Sequence, residues 1–391
     1  MAVRTQNEQV VTNRIIRQAL SFDEVSLVPG SVTIDPALVD ISTEIGSLHL
    51  DVPFLAAAMD GVVDVNFAVQ YGKLGGLAVL NLDGLNTRYE DPASIIERIC
   101  KASKDEVNSV LRQAYQEPVK EELIEKRIKE IKKQGVQIAV STVPGRALQR
   151  LDIAQQAGAD LFVVQGTVTT ARHVSPTGKV VSFEEICEKA KIPVVVGNCV
   201  SYQAAIELME CGIDGILVGV GPGAACTTRN VLGVGVPQIT ATLDVARARD
   251  DYYRRTGKYV AVITDGGMRV GGDIAKAMAA GADAVMLGSP FAAAAESASK
   301  GYNWGMATPD PLLPRGTRIH VGVKTMLKQL IFGPAEVDDG SQNLAGALRA
   351  AIGICGARNI KEFHQVEMVF APSIRSEGKL YQQIQGVGMG N

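Results

Sequence analysis

No stretch of this 391-residue chain reaches the about 18 consecutive apolar residues that a membrane helix requires. The first residues, "MAVRTQNEQVVTNRII", also lack the apolar centre of a secretory signal. A cytoplasmic protein with no membrane partner is expected. No Lys/Arg block dominates any segment and the formal net charge is −3, which argues against nucleic acid as the main partner. The six cysteines, at 100, 187, 199, 211, 226 and 355, form no CxxC pair and no zinc-like spacing. Neither a disulfide framework nor a zinc ribbon is therefore indicated, and the scatter fits a reducing compartment. The four histidines do not cluster, so a histidine general base is not indicated either.

What the chain does have is apolar material, 46% of its residues, enough to bury a sizeable core. From residue 53 this material falls into eight short runs: 53–59, 75–81, 136–142, 160–166, 192–198, 214–220, 259–265 and 283–289. Each is nearly continuous in Val, Ile, Leu and Ala, as strands covered on both faces must be. Between them lie helical patterns such as "RALQRLDIAQQAG" (146–158), "YQAAIELMECG" (202–212) and "GGDIAKAMAAG" (271–281). Eight alternating units of one strand type predict a single (β/α)8 (TIM) barrel spanning 1–391. A doubly wound open sheet is the rival that the same alternation allows. One segment, about 86–135, is charged and helical with no strand, and reads as a helical insertion between strands 2 and 3. The Asp91–Pro92 pair gives it a helix start.

In such a barrel, chemistry sits on the loops that follow the strands. After strand 1 comes Met59–Asp60–Gly61, and after strand 5 Gly197–Asn198. After strand 6 comes "GPGAACTTRN" (221–230), after strand 7 Asp265–Gly266–Gly267, and after strand 8 Gly288–Ser289. Gly266, Gly267 and Gly288 can bring backbone N–H groups close to an anion, and Ser289 adds a hydroxyl, which predicts a phosphate site. Asp265 can accept two hydrogen bonds from a ribose diol. In the strand 6 loop, Gly221 and Gly223 either ring a monovalent cation or present Cys226, with Thr227, Thr228 and Arg229 close by. Exposed loop amides and Arg229 would favour the thiolate form that a nucleophile needs. Packing is the bland alternative for a lone cysteine.

These residues carry a family resemblance. "GPGAACTTRNVLGVGVPQITA" (221–241) resembles the active-site cysteine loop of IMP dehydrogenases and GMP reductases. "AAAMDGV" (56–62), "ITDGGMRVGGDIAKAMAAGADAVMLGS" (263–289), "WGMAT" (304–308) and "ICGARNIKEF" (354–363) resemble further blocks of it, in the same order. The resemblance implies that Cys226 attacks purine C2 to form a covalent thioimidate, with Thr228 beside the reacting centre. It assigns Asp265 to the ribose, Gly266, Gly267, Gly288 and Ser289 to the 5′-phosphate site, and Met59, Gly305 and Met306 to the border of the base. Gln165 and Asn198 fall on the cofactor side. The carbonyls of Gly221, Gly223 and Cys226 would hold a monovalent cation such as K+. A homotetramer is the usual assembly. Four positions depart from the family pattern. Gln165 stands for an aspartate, Ala224 for a phosphate-binding serine and Gly61 for a threonine, while Arg315 falls near an expected acidic residue.

The resemblance covers two activities on purine nucleotides. The dehydrogenase oxidises IMP to XMP with NAD and needs a water-activating Arg–Tyr pair on a long mobile flap. The reductase converts GMP to IMP and ammonia with NADPH. Here the flap, about 307–320, is short, with "PDPLLPRGTRI" and no Arg–Tyr, and the family's regulatory domains are replaced by the insertion at 86–135. These features favour the NADPH-dependent GMP reductase. "CTTRNVLGVGVPQ" is closer to the dehydrogenase version, which keeps the NAD-dependent IMP dehydrogenase as the alternative. A nucleotide-binding regulator without turnover is a further one, and the strand 7–8 segment also resembles the phosphate grip of flavin-dependent barrel oxidoreductases.

Overall fold

Each of the eight apolar runs forms a strand in the computed structural model, which describes residues 16–175, 181–305, 317–372 and 380–385. In chain order they are β1 (Phe54–Ala56), β2 (Leu77–Asn81), β3 (Ala139–Thr142), β4 (Leu161–Gln165), β5 (Val194–Cys199), β6 (Gly215–Val218), β7 (Ala261–Asp265) and β8 (Ala284–Leu287). They pair in parallel with their chain neighbours, and β8 closes on β1 through Val285↔Phe54, Met286↔Leu55 and Leu287↔Ala56. The barrel is therefore closed, and the open-sheet alternative falls.

Successive side chains of a strand point to opposite faces, and the sequence fills both. Leu55, Leu77, Val79, Leu161, Val163, Val195, Leu217, Ile263 and Met286 form a cluster of their own inside the barrel. Phe54, Leu80, Val140, Phe162, Val164, Val196, Ile216, Val262 and Val285 belong to the larger core shared with the helices. A hairpin, Thr43–Ile45 against Leu48–Leu50, plugs the end from which β1 starts, adding Ile45, Leu48 and Leu50 to the interior cluster. The opposite end, where the strands finish, is left to the loops.

Three helices separate β2 from β3: Pro92–Lys101, Val107–Ala114 and Glu121–Lys132. The first starts as expected, with Asp91 capping it through the Ser94 N–H. The three are not alike. Glu121–Lys132 places Ile124, Ile128 and Ile131 in the main core, against the barrel helix Ala147–Ala157. It occupies the position of a barrel helix, so the true excursion ends before Glu121. The first two helices build a separate small core from Leu85, Ile96, Ile99, Val107, Leu111, Tyr115 and Trp304.

Beyond β8 a two-stranded hairpin, Tyr302–Trp304 against Arg318–His320, rises beside the loops. Met306, Arg315 and most of the expected flap (307–316) lie outside the described residues. Among the described residues no helix is long and apolar enough to cross a membrane.

Candidate active site

Cys226 lies in the loop after β6, where its own N–H donates to the Gly223 carbonyl at 3.0 Å. This turn lifts the side chain outward, and of the six cysteines Cys226 alone is exposed. Its thiol donates to Thr228 Oγ1 at 3.2 Å, and Thr228 is itself buried at the start of the short helix Thr228–Leu232. The other five thiols are pushed up by burial, Cys100 and Cys211 to about 11, Cys187 and Cys199 to about 12, and Cys355 in the same direction. They stay protonated and unreactive at neutral pH. Arg229, expected to assist the thiol, keeps an electrostatic interaction with Cys226 while its hydrogen bonds go to backbone. It donates to the Val220 carbonyl at 3.1 Å and the Val236 carbonyl at 2.8 Å, which closes the loop at its base.

Asp265 ends β7 at the barrel mouth. Its carboxylate accepts from Asn198 Nδ2 at 2.8 Å and Gln165 Nε2 at 2.9 Å, and Gln165 also reaches Asn198 Oδ1 at 3.2 Å. The ends of β4, β5 and β7 thus meet in one polar cluster. Burial pushes the Asp265 carboxyl up to about 6, while the two amide donors pull the other way. Gln165 and Asn198, expected on the cofactor side, therefore turn their amides onto the residue expected at the ribose.

Gly266 and Gly267 follow with φ of +83° and +84°, a conformation that side chains with a Cβ strongly disfavour. Their free faces touch the cysteine loop: a Cβ on Gly267 would lie 3.1 Å from Pro222 Cβ, and one on Gly266 3.3 Å from Pro222 Cγ. The two loops are brought together by this contact and by Gln238, whose Nε2 donates to the Val218 carbonyl at 3.1 Å and the Asp265 carbonyl at 3.0 Å. Sequence reading missed Gln238; its only signal is a polar residue that opens a helix immediately after the cysteine loop. On the other side of the mouth, a Cβ on Gly288 would lie 3.0 Å from the Met59 sulfur, so Met59 and Gly288 are direct neighbours. Ser289 opens the four-residue helix Ser289–Ala292, and Gly305 follows the strand Tyr302–Trp304, half-buried. Asp60 does not join the mouth, because its side chain is fully buried on the far side of the loop.

The residues on either side of 306–316 are anchored. Trp304 pairs with Arg318 across the hairpin, and the Thr317 N–H donates to the Ala225 carbonyl, next to Cys226, at 3.2 Å. Among the described residues no group of three or more His, Cys, Asp or Glu could hold a metal ion. A monovalent cation needs only carbonyl oxygens. The Gly223 oxygen, already an acceptor for Cys226, has a second lone pair to offer one.

The exposed cysteine, the Asp265 carboxylate and the strand-end glycines thus gather at the C-terminal mouth of a closed (β/α)8 barrel, where enzymes of this fold place their active sites. The chain belongs to the IMP dehydrogenase / GMP reductase family: residues 19–306 match the model of the IMP dehydrogenase / GMP reductase domain. An uncharacterized oxidoreductase of Mycolicibacterium smegmatis is 34% identical over 367 residues, covering 92% of this chain and 98% of that one. The inosine-5′-monophosphate dehydrogenase of Borreliella burgdorferi is 32% identical over 311 residues, covering 74% of this chain and 73% of its own. Among solved structures, an IMP dehydrogenase/GMP reductase-like protein from Corynebacterium glutamicum superposes with a TM-score of 0.86 at 34% identity, over 92% of this chain and 96% of that one.

Proposed function

We propose that this protein is an NADPH-dependent GMP reductase working through Cys226. The observation that carries the reading is that the residues flanking 306–316 are fixed close together, Trp304 pairing with Arg318 across the hairpin and the Thr317 N–H donating to the Ala225 carbonyl. The sequence from Gly305 to Thr317, "GMATPDPLLPRGT", contains no tyrosine. A dehydrogenase must bring a water-activating group to the covalent intermediate after the nicotinamide departs, and a short segment fastened at both ends is poorly suited to that exchange. The reductase has no such step.

In this reading the Cys226 sulfur attacks C2 of GMP. The C2–N bond breaks, and the exocyclic amine leaves as ammonia after taking up a proton, which gives a thioimidate. NADPH supplies the two electrons that reduce C2, the C–S bond then breaks, and IMP and the free thiolate are released. Thr228, bonded to the thiol, holds the sulfur toward the base. Asp265 binds the ribose hydroxyls, Gly266, Gly267, Gly288 and Ser289 face the phosphate, and Met59 with Gly305 and Met306 borders the purine. The cofactor side belongs to Gln165 and Asn198. As a neutral donor, Gln165 adds no second negative charge beside Asp265. The proposal includes K+ on the carbonyls of Gly221, Gly223 and Cys226, and a cytoplasmic homotetramer.

The test is a paired assay. Loss of NADPH absorbance with GMP and release of ammonia are expected, and both should vanish in Cys226→Ala. NADH formation from IMP and NAD, without turnover of GMP, would replace the reading with an IMP dehydrogenase. That alternative is favoured by the composition of the cysteine loop.

A further inference from the structure

Beneath the base-bordering loop lies a buried polar chain that the proposed reaction does not use. Asp60, fully buried directly after Met59, accepts from Tyr115 Oη at 2.7 Å. Tyr115 Oη in turn accepts from Trp304 Nε1 at 2.9 Å. Tyr115 caps the second insertion helix, Val107–Ala114, whereas Trp304 immediately precedes Gly305. Three segments distant in sequence are thus joined through one phenol: the loop after β1, the insertion, and the root of the segment 305–317.

Packing repeats the connection. The Trp304 ring lies in the insertion's own small core with Ile99, Leu111 and Tyr115. It also covers Gly61, where an added Cβ would lie 3.0 Å from Trp304 Cζ3 and 2.9 Å from the Tyr302 carbonyl. The absence of a Cβ at Gly61 is therefore what lets the tryptophan seat. Arg318, the cross-strand partner of Trp304, donates to the Ile99 and Cys100 carbonyls at the end of the first insertion helix. Both strands of the hairpin are consequently fastened to the insertion.

A buried ionisable group is costly unless its hydrogen bonds are met, so Asp60 and Tyr115 are held to one arrangement rather than sliding among several. We propose that the helical insertion positions the base-bordering edge of the nucleotide pocket. Tyr115 is the positioning residue that locks Met59, through Asp60, and Gly305, through Trp304, into one geometry. This inference rests on the proposed nucleotide site but does not require the reductase direction.

The chain contains a single tryptophan, Trp304, so its emission reports this junction alone. In the full-length wild type, titration with GMP or IMP should change that emission. Tyr115→Phe should reduce the nucleotide-dependent change and lower kcat with GMP by about tenfold or more, as small misplacements at a reacting centre do. The KM for NADPH should stay near the wild-type value. Retention of wild-type kcat and of the wild-type emission change, whatever happens to Tm, would overturn the inference, as would a wild-type emission that ignores both nucleotides. Asp60→Asn removes the charge while keeping the shape, and gives the same outcomes if Tyr115→Phe does not fold. Absence of turnover with GMP and NADPH would count against the reductase reading only, since the emission titration uses neither cofactor nor catalysis.

Discussion

At the end of β7, burial pushes the Asp265 carboxyl up to about 6, against the pull of the Asn198 and Gln165 amides. An ionised carboxylate accepts both ribose hydroxyls, whereas the protonated acid spends one oxygen as a donor. With Asp265 at the proposed ribose site, nucleotide binding should be strongest above pH 6 and should weaken as the pH falls through it. A nucleotide 5′-phosphate also titrates near about 6, so the wild-type profile of KM against pH contains two ionisations. Asp265→Asn separates them. Its KM should be raised at every pH, and any remaining acid limb belongs to the phosphate. A profile identical to the wild type would remove Asp265 from the ribose site. Gln165→Glu tests the same cluster from the other side. A second carboxylate placed where an amide now donates at 2.9 Å would drive the apparent pKa of the pair upward, and the acid limb should move toward neutral pH.

Among the elements, the loop after β7 is the most constrained by its backbone. A Cβ in the left-handed region costs roughly 1–2 kcal/mol, and at Gly267 it would also press on Pro222 at 3.1 Å. Gly267→Ala should therefore weaken nucleotide binding measured by calorimetry, with a small loss of Tm. Unchanged affinity would show that the two loops need not touch. The eight strands were legible in the sequence because both faces of each are buried, which leaves runs nearly continuous in Val, Ile, Leu and Ala. The helix Glu121–Lys132 was harder to read. Its core stripe is only Ile124, Ile128 and Ile131 with Leu123, diluted by "EELIEKRIKEIK", and it reads as part of a solvated excursion until its packing against Ala147–Ala157 is seen. The glycines that follow β7 and β8 were legible as strand-end positions. Asp60 was not, because a carboxylate after a barrel strand looks like a mouth residue. Its true partner, Tyr115, lies 55 positions away, a pairing that no local pattern reveals.

On the scale of the whole molecule, the end of the barrel opposite the mouth is tied together by Asp283. This carboxylate is fully buried just before β8. It accepts from Arg249 Nη1 at 3.0 Å, Tyr259 Oη at 2.7 Å and the Val262 N–H at 2.8 Å, and it pairs with Lys361. The contacts join the long helix Gln238–Thr256, the start of β7 and the short helix Ile360–Phe363. Burial alone would raise its pKa, but Lys361 and Arg249 outweigh it and hold the carboxyl below the usual aspartate range. For an acid depressed in the folded state, the stability it contributes is full above its unfolded pKa and is lost as the pH falls through the lower folded value. Asp283→Asn leaves the buried Arg249 paired only with the exposed Asp250, at a cost of up to about 3–5 kcal/mol. Denaturant unfolding at neutral pH should show that loss, and most of the difference from wild type should disappear at strongly acidic pH. A neutral substitution would mean that the cluster is not a clamp.

The proposed reaction is the reduction of GMP by NADPH while the purine is held on the Cys226 sulfur. It is tested most directly by measuring GMP with NADPH and IMP with NAD on the same preparation, for wild type and Cys226→Ala. NADPH consumption and ammonia release are expected with GMP. Both should fall by at least about 1,000-fold in Cys226→Ala, the scale on which removing a covalent nucleophile acts, with nucleotide binding largely kept. GMP turnover that survives Cys226→Ala, or NADH formation from IMP with none from GMP, would contradict it.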